Sequence, residues 1–377
     1  MWTLAARPAS DRSAASSAAR ARAVLASAER SDAGLAANVH IEQLRIGLHA
    51  DPVTTLRVID EEAAAAIAEL EELGDQEGLA RAWNLLSTVH RSRGRLAAAE
   101  VSTRRASELA KAVGDAVQEA SSLGTLASIF VFGPTPVSEG IEFCEGILAL
   151  PDRRPGLEGR VKRALGVLRA MQEDFDEGRQ LIARSREIFV DLGLAFYVAG
   201  ADQARGIVEM LAGDVVGAVT AFRTSYDILR DLGDTFFMAT GACYLATALY
   251  DVGELEEAAE LARISQELAP EDDIDSQMGW RTAMARVRTA QGQMDDAVRL
   301  AREALAYQAD TDLAMTPDVR LEAAEVLAIA GHAEEAVTLA RATLADHLAK
   351  GNLAAARWAE RFLARRVPLL GASPLST

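Results

Sequence analysis

Gly253-Glu254-Leu255-Glu256-Glu257-Ala258 is the stretch that decides the fold. A glycine breaks one helix, acidic residues open the next, and a small residue stands five places on. The same shape returns at Gly213-Asp214-Val215-Val216-Gly217-Ala218, Gly292-Gln293-Met294-Asp295-Asp296-Ala297 and Gly331-His332-Ala333-Glu334-Glu335-Ala336. Gly94-Arg95-Leu96-Ala97-Ala98-Ala99 is an earlier copy; Gly133 and Glu173-Asp174-Phe175-Asp176-Glu177-Gly178 are weaker ones. Their first residues, 94, 133, 173, 213, 253, 292 and 331, are separated by steps of 39 or 40. A period held that tightly predicts one supersecondary unit stacked along a single axis.

About twenty residues after each break stands a second one. Gly74, Gly114, Gly193, Gly233 and Gly351 fall there, in phrases such as Asp231-Leu232-Gly233-Asp234. An apolar residue, a glycine and an aspartate read as a left-handed helix end followed by an N-cap. Asp273 and Asp312 stand in the glycine's place in two units, and Pro151 to Pro155 disturb a third. Each unit is therefore a helical hairpin, with helix A before the break and helix B after it. Small residues recur seven before the break (Ser87, Gly166, Gly206, Ala246, Ala285, Ala324, with Leu126 in the second copy), five after it (Ala99, Ser138, Gly178, Ala218, Ala258, Ala297, Ala336) and, leaving aside the irregular second copy, twelve after it (Ala106, Ser185, Ser225, Ser265, Ala304, Thr343). Large apolar residues such as Leu86, Leu165, Leu245 and Met284 stand eight before it. Small against large at fixed steps buries a continuous core that no single hairpin could hide alone.

The expected fold is all-α, a right-handed superhelix of antiparallel helical hairpins forming an α-solenoid. Residues 1–30 make a poorly defined N-terminal segment with one helix. Residues 31–351 form the array, in units of about 31–74, 75–113, 114–153, 154–193, 194–233, 234–272, 273–312 and 313–351. A capping helix with Trp358 and Phe362 inward covers 352–366, and 367–377 is a disordered tail.

Composition narrows the function classes. Half of the 377 residues are apolar, only 5% are aromatic, and alanine fills much of the rest, which suits close helix packing. The net charge of -17 argues against a direct nucleic-acid binder. No apolar run approaches the ~20 residues of a membrane helix. Cys144 and Cys243 are too far apart in sequence for a metal motif and too few for a disulfide framework, which points to the reducing cytoplasm.

The small residues at those three places resemble the tetratricopeptide pattern, with Trp83 at its tryptophan position. The longer period and the "Leu-Gly-Asp" phrases resemble the repeat regions of large bacterial signal-transduction ATPases, namely MalT-like activators and the proteins joining a class III nucleotide cyclase to an ATPase. Gly133-Pro134-Thr135-Pro136-Val137-Ser138-Glu139-Gly140, Asp273-Ile274-Asp275-Ser276-Gln277 ahead of Trp280-Arg281, and Lys350-Gly351-Asn352-Leu353-Ala354-Ala355-Ala356-Arg357 carry the likeness to the cyclase group. It covers about residues 75–366. The family's P-loop has no counterpart here, because none of Lys111, Lys162 and Lys350 follows the required glycines. The resemblance implies a non-catalytic interaction or regulatory scaffold. Its alternative is an effector-sensing repeat domain detached from catalytic domains.

No residue pattern calls for catalysis, a cofactor or a metal. Glu256-Glu257, Asp295-Asp296 and Glu334-Glu335 sit where a helix dipole favours acids, and they recur. The run Glu271-Asp272-Asp273-Ile274-Asp275 reads as a solvated helix start, since it lacks a calcium loop's glycine and closing glutamate. The five histidines never fall at i, i+4. Arg104, Arg223, Arg263, Arg302 and Arg341, each ten after a break, read as partners of local acids. Cys243 is placed toward the groove.

In the tetratricopeptide superhelix the A helices line the concave groove, and the resemblance maps residues thirteen, ten, six and three before each break onto it. Across the six units from the break at 94 to that at 292, these 24 positions hold no Asp or Glu, whereas 56 of 377 residues are acidic overall. The candidate partner-binding residues are Arg81, Asn84, Arg91, Arg160, Arg163, Gln203, Tyr250 and Arg286. Arginine forks suit carboxylates and phosphates, so the expected partner is an acidic protein or peptide, with a small anionic effector as the alternative. Neither nucleic acid nor membrane is expected to bind directly.

Overall fold

In the computed structural model, residues 33–50, 52–151, 153–309, 311–314 and 318–370 are described. The readings of residues 1–30 and of 371–377 lie outside them, whereas 367–370, expected to begin a disordered tail, continue the last helix to Leu370. The described residues form seventeen helices and no strand. In order these are α1 (Ala33–Ala50), α2 (Pro52–Leu73), α3 (Gln76–Ser92), α4 (Leu96–Val113), α5 (Ala116–Phe132) and α6 (Val137–Leu148). Then come α7 (Pro155–Met171), α8 (Phe175–Asp191), α9 (Ala195–Ala212), α10 (Val215–Leu232), α11 (Thr235–Asp251) and α12 (Leu255–Leu268). The last five are α13 (Ile274–Ala290), α14 (Met294–Ala309), α15 (Val319–Ile329), α16 (Ala333–Lys350) and α17 (Leu353–Leu370).

The helices end where the backbone turns left-handed. Gly74, Gly94, Gly114, Gly193, Gly213, Gly233, Gly253, Gly292, Gly331 and Gly351 all have φ between +64° and +93°. Glu173, the weak copy, takes the same conformation at φ 70° and is the only non-glycine to do so among the described residues. An L-residue with a β-carbon is strained there, so its retention shows that the turn is imposed by the hairpin. Asp174, Asp214 and Asp234 then cap α8, α10 and α11 through their side chains.

The small-residue positions are the contact points within and between hairpins. Ala99, Ala218, Ala258, Ala297 and Ala336 are wholly buried, as are Ala106, Ser185, Ser265, Ala304 and Thr343. Where α7 crosses α8, a β-carbon on Gly166 would lie 2.8 Å from the Gly178 carbonyl, and one on Gly178 would lie 2.7 Å from that of Gly166. The two backbones touch, and neither site has room for a methyl group.

The chain forms two compact units. One comprises residues up to Val89 with Ser102–Ser122; the other comprises His90–Val101 and everything from Leu123. In the first, Ile41, Leu44, Ile59, Leu70, Leu79, Leu85, Val89 and Leu109 build the core, with Trp83 against its edge. Asp75 caps α3 by accepting from the Gly78 amide at 2.9 Å and also accepts from Asn38 at 2.6 Å.

In the second unit, α7 to α17 pack in sequence order, each against its hairpin partner and the next hairpin. Within this unit the coil returns upon itself. The segment 311–314 runs beside the start of α4, where Asp312 donates its amide to the Gly94 carbonyl at 3.0 Å and accepts from the amides of Leu96 and Ala97. Asp312 therefore caps a helix more than two hundred residues earlier. Ala314 donates its amide to the Phe132 carbonyl at 2.7 Å. The buried Lys350 amine donates to the carbonyls of Phe130, Gly133 and Thr135 at 2.7, 2.6 and 2.5 Å. It satisfies the end of α5, where the pattern at Gly133 is weak and where α6 is only 12 residues long. Gln172 donates to the Gly351 carbonyl at 2.5 Å, and Arg357 pairs with Glu173 at 2.5 Å.

The acidic run 271–275 differs from its expectation of a solvated loop. Asp273 is 4% exposed and caps α13, and burial pushes it up to about 6. Asp275 accepts from the Tyr244 hydroxyl at 3.4 Å, and burial together with Asp273 pushes it up to about 7. The close packing of α13 on α11 takes these carboxyls out of water.

Candidate functional site

Inside the second unit the A helices present two charged clusters. The first comes from α3, α5, α7 and α9. Arg160 and Arg163 lie one turn apart on α7. Arg160 Nη2 donates to Thr125 Oγ1 at 2.9 Å, and its guanidinium lies 5.8 Å from the Tyr197 ring centroid. Arg163 Nη2 donates to Ser128 Oγ at 3.3 Å. Gly200, on the facing turn of α9, has no side chain, and a β-carbon there would meet Arg163 Nη1. Arg91, at the end of α3, is the third member. Burial is the first cause that pushes both Arg91 and Arg163 down to about 10, and repulsion from Arg160 is the second. Arg160 moves the same way, chiefly through burial. Arg91 is exposed to solvent, and Arg160 and Arg163 are partly so. Among the described residues no carboxylate pairs with Arg91 or Arg163. Like charges held together favour an anion between them.

The second cluster surrounds Arg286 on α13. Arg286 is 7% exposed and pairs with Asp251 at 2.5 Å, Glu325 at 3.4 Å and Glu322 at 3.7 Å, with the Tyr250 ring centroid 4.2 Å from its guanidinium. His347 Nε2 lies 2.7 Å from Asp318 Oδ2. Burial pushes Glu322 up to about 7, opposed by Arg286 and reinforced by Asp251, Glu325 and Asp318. Two hollows, of about 360 and 270 Å³, adjoin this network and share Arg286, Leu321, Glu325 and Trp358 as walls.

The eight residues singled out from the sequence divide three ways. Arg91, Arg160 and Arg163 come together. Tyr250 and Arg286 also meet, in the carboxylate network. Arg81 and Asn84 belong to the first unit and are engaged there: Arg81 pairs with Glu77 at 2.6 Å and donates to Asn38 at 2.8 Å, and Asn84 donates to Ser122 at 3.1 Å. Gln203 stands half-buried on α9. Tyr197 escaped the sequence reading because it lies one turn N-terminal to the mapped positions. Glu322 escaped it because its position in the last unit was not among those compared.

Cys243 does not face the groove, as the sequence reading placed it. It is fully buried, its Sγ fills the space beside Gly279, and it donates to the Thr240 carbonyl at 3.1 Å. Burial raises its thiol well above the usual range and raises that of Cys144 to about 12, which leaves neither as a ready nucleophile. The described residues contain no group of three or more His, Cys, Asp and Glu that could hold a metal, and no helix among them is long and apolar enough to cross a membrane.

Hairpins of this length, stacked through small residues and enclosing a charged interior, define a tetratricopeptide-like fold. No family model matches the chain, and no curated protein matches it in sequence. Solved structures do. The crystal structure of a Rap protein complexed with competence and sporulation factor superposes with a TM-score of 0.55 at 14% identity, covering 95% of this chain and 94% of that one. A chain of the APC/C hetero-tetramer Cut9–Hcn1 gives a TM-score of 0.56 at 13% identity, covering 93% of this chain and 67% of that one. A signal transduction ATPase with numerous domains and a tetratricopeptide repeat sensor, from Pyrococcus horikoshii, gives 0.46 at 13% identity over 83% of this chain and 54% of that one.

Proposed function

We propose that the chain is a non-catalytic regulatory scaffold whose second unit holds an acidic segment of a partner protein against Arg91, Arg160 and Arg163. One observation carries this reading. In a chain of net charge -17, Arg91 and Arg163 stand beside Arg160 without a carboxylate partner among the described residues. Many other arginines of the array are answered by carboxylates, as Arg223 is by Glu257 and Arg302 by Glu335. A bidentate carboxylate from outside would relieve the mutual repulsion and use donors already held in place by Thr125 and Ser128. The Rap protein with the same fold, bound to the competence and sporulation factor, is a precedent for such an array holding a second molecule. Both cysteines are free thiols, which suits the cytoplasm.

The test is fluorescence anisotropy with a labelled, glutamate-rich decapeptide and the double variant Arg160→Glu, Arg163→Glu. Circular dichroism first establishes that the variant is folded. Reversing two charges should weaken binding by roughly a hundredfold or more, as for desolvated charge pairs. Unchanged affinity in the folded variant removes the proposal.

A further inference from the structure

The hollow of about 270 Å³ beside Trp358 is walled by Ile207, Met210, Phe222, Tyr244, Leu321 and Trp358. Four polar atoms on its lining residues are buried without a hydrogen-bond partner: Thr247 Oγ1, Arg286 Nε, Glu322 Oε2 and Asn352 Nδ2. Their residues are 4%, 7%, 9% and 0% exposed. Buried polar groups are nearly always satisfied, and of these four the oxygens Glu322 Oε2 and Thr247 Oγ1 can accept from a donor in the cavity, whereas Arg286 Nε and Asn352 Nδ2 are themselves donors.

We infer that this cavity binds a small organic cation, an ammonium or guanidinium group carried on an aromatic or aliphatic body. The charge inventory sets the sign. Asp251, Asp318, Glu322 and Glu325 line the cavity, and Arg286 and His347 are the basic residues in its lining; Arg361 and Arg365 line the adjoining hollow, which shares Glu325. Arg286 is already held by three of the carboxylates and His347 by the fourth, so neither is available to an anion. An added cation lowers the repulsion among the carboxylates, and Tyr244, Phe222 and Trp358 line the cavity with aromatic rings beside which its body can pack. The volume lies near the lower end of ligand pockets, roughly 300–1,000 Å³, which limits the guest to a small amine or to one basic side chain. This site is separate in residues and in charge from the arginine cluster, and its test is independent of that reading.

The full chain is titrated calorimetrically with phenethylamine, 2-phenylethanol and 3-phenylpropionate, which share a body and differ in charge. A second arm uses the blocked tripeptide acetyl-Ala-Lys-Ala-amide, which presents the same chemistry on a main chain. Binding of phenethylamine at least about tenfold tighter than the alcohol, with none of the carboxylate, is the expected result, and Glu322→Gln should remove most of that preference. Binding of the tripeptide alone, again lost in Glu322→Gln, supports the site and assigns its cation to a partner's side chain. Failure of both cations to bind, equal binding of all three aromatic probes, or a preference unaltered in Glu322→Gln overturns the inference and leaves a cavity holding solvent only.

Discussion

Replacing Lys350 by methionine should weaken the protein by about 3 kcal/mol, and the figure follows from the geometry. The amine is 3% exposed and donates to three carbonyls that terminate α5 and begin the following loop. Hydrogen bonds from a charged donor contribute roughly 1.5–3 kcal/mol each, so three give roughly 5–9 kcal/mol in favour of the native state. Burial opposes them. It pushes the amine from its ordinary 10.5 down to about 8, and at about 1.4 kcal/mol for each tenfold that takes back roughly 3 kcal/mol. Methionine keeps most of the aliphatic stem in place but leaves the three carbonyls unmet, so the net loss falls near the lower half of the difference. Urea denaturation followed by circular dichroism at 222 nm measures it, and amide exchange should rise first at residues 130–136. A loss below about 0.5 kcal/mol, or exchange that rises evenly along the chain, would refute the view that this amine fastens the returning coil.

Three further outcomes are expected. Asp273, Asp275 and Glu322 titrate at about 6, 7 and 7, above their ordinary values, so their contribution to stability is intact below about pH 4 and is lost as pH rises through 6 to 7. Glu322→Gln should therefore improve on the parent chain more at pH 7.5 than at pH 5 in urea midpoints. Gly253→Ala, at φ +86° with nothing within 4 Å of the added carbon, should cost about 1–2 kcal/mol from backbone strain alone, whereas Gly166→Ala, which meets the Gly178 carbonyl at 2.8 Å, should cost more because a backbone must move. Arg223→Ala removes a half-exposed bridge between consecutive B helices and should change stability by less than about 1 kcal/mol, read from the same denaturation curves.

The hairpins were legible because their signals are local. A glycine that must turn left, an aspartate that caps, and a small residue where two helices touch each act within a few neighbours, and they recur every 39 or 40 residues. The residues mapped onto the groove fall in different surroundings. Positions six and three before the break, such as Ile207, Thr247, Arg286, Met210 and Tyr250, line the hollows. On α11 and α13 the positions thirteen and ten before it pack instead: Thr240 meets Ser276 at 3.0 Å, Cys243 fills the gap at Gly279, and Thr282 is buried. On α11 and α13 the N-terminal ends lie close while the C-terminal ends leave the hollows open.

The return of the coil was not legible at all. Lys350 with Gly133, and Asp312 with Leu96, pair residues more than two hundred positions apart, and no periodic pattern records such a pairing. The sequence did carry traces of both, as departures from the repeat. Gly133 is one of the two weaker copies, and Asp312 stands where a glycine is due. Both are now explained by what they bind rather than by the hairpin they sit in. Burial of Asp273 and Asp275 was missed for a related reason, since a dense acidic run is usually solvated and only the packing of α13 on α11 removes it from water.

The most direct test of the central claim is a crystal structure of the chain with a glutamate-rich decapeptide at saturating concentration. The account predicts peptide carboxylates within hydrogen-bond distance of Arg91, Arg160 and Arg163, inside the second unit. A peptide seated on the outer faces of the B helices, with those three guanidiniums left uncontacted, would contradict it.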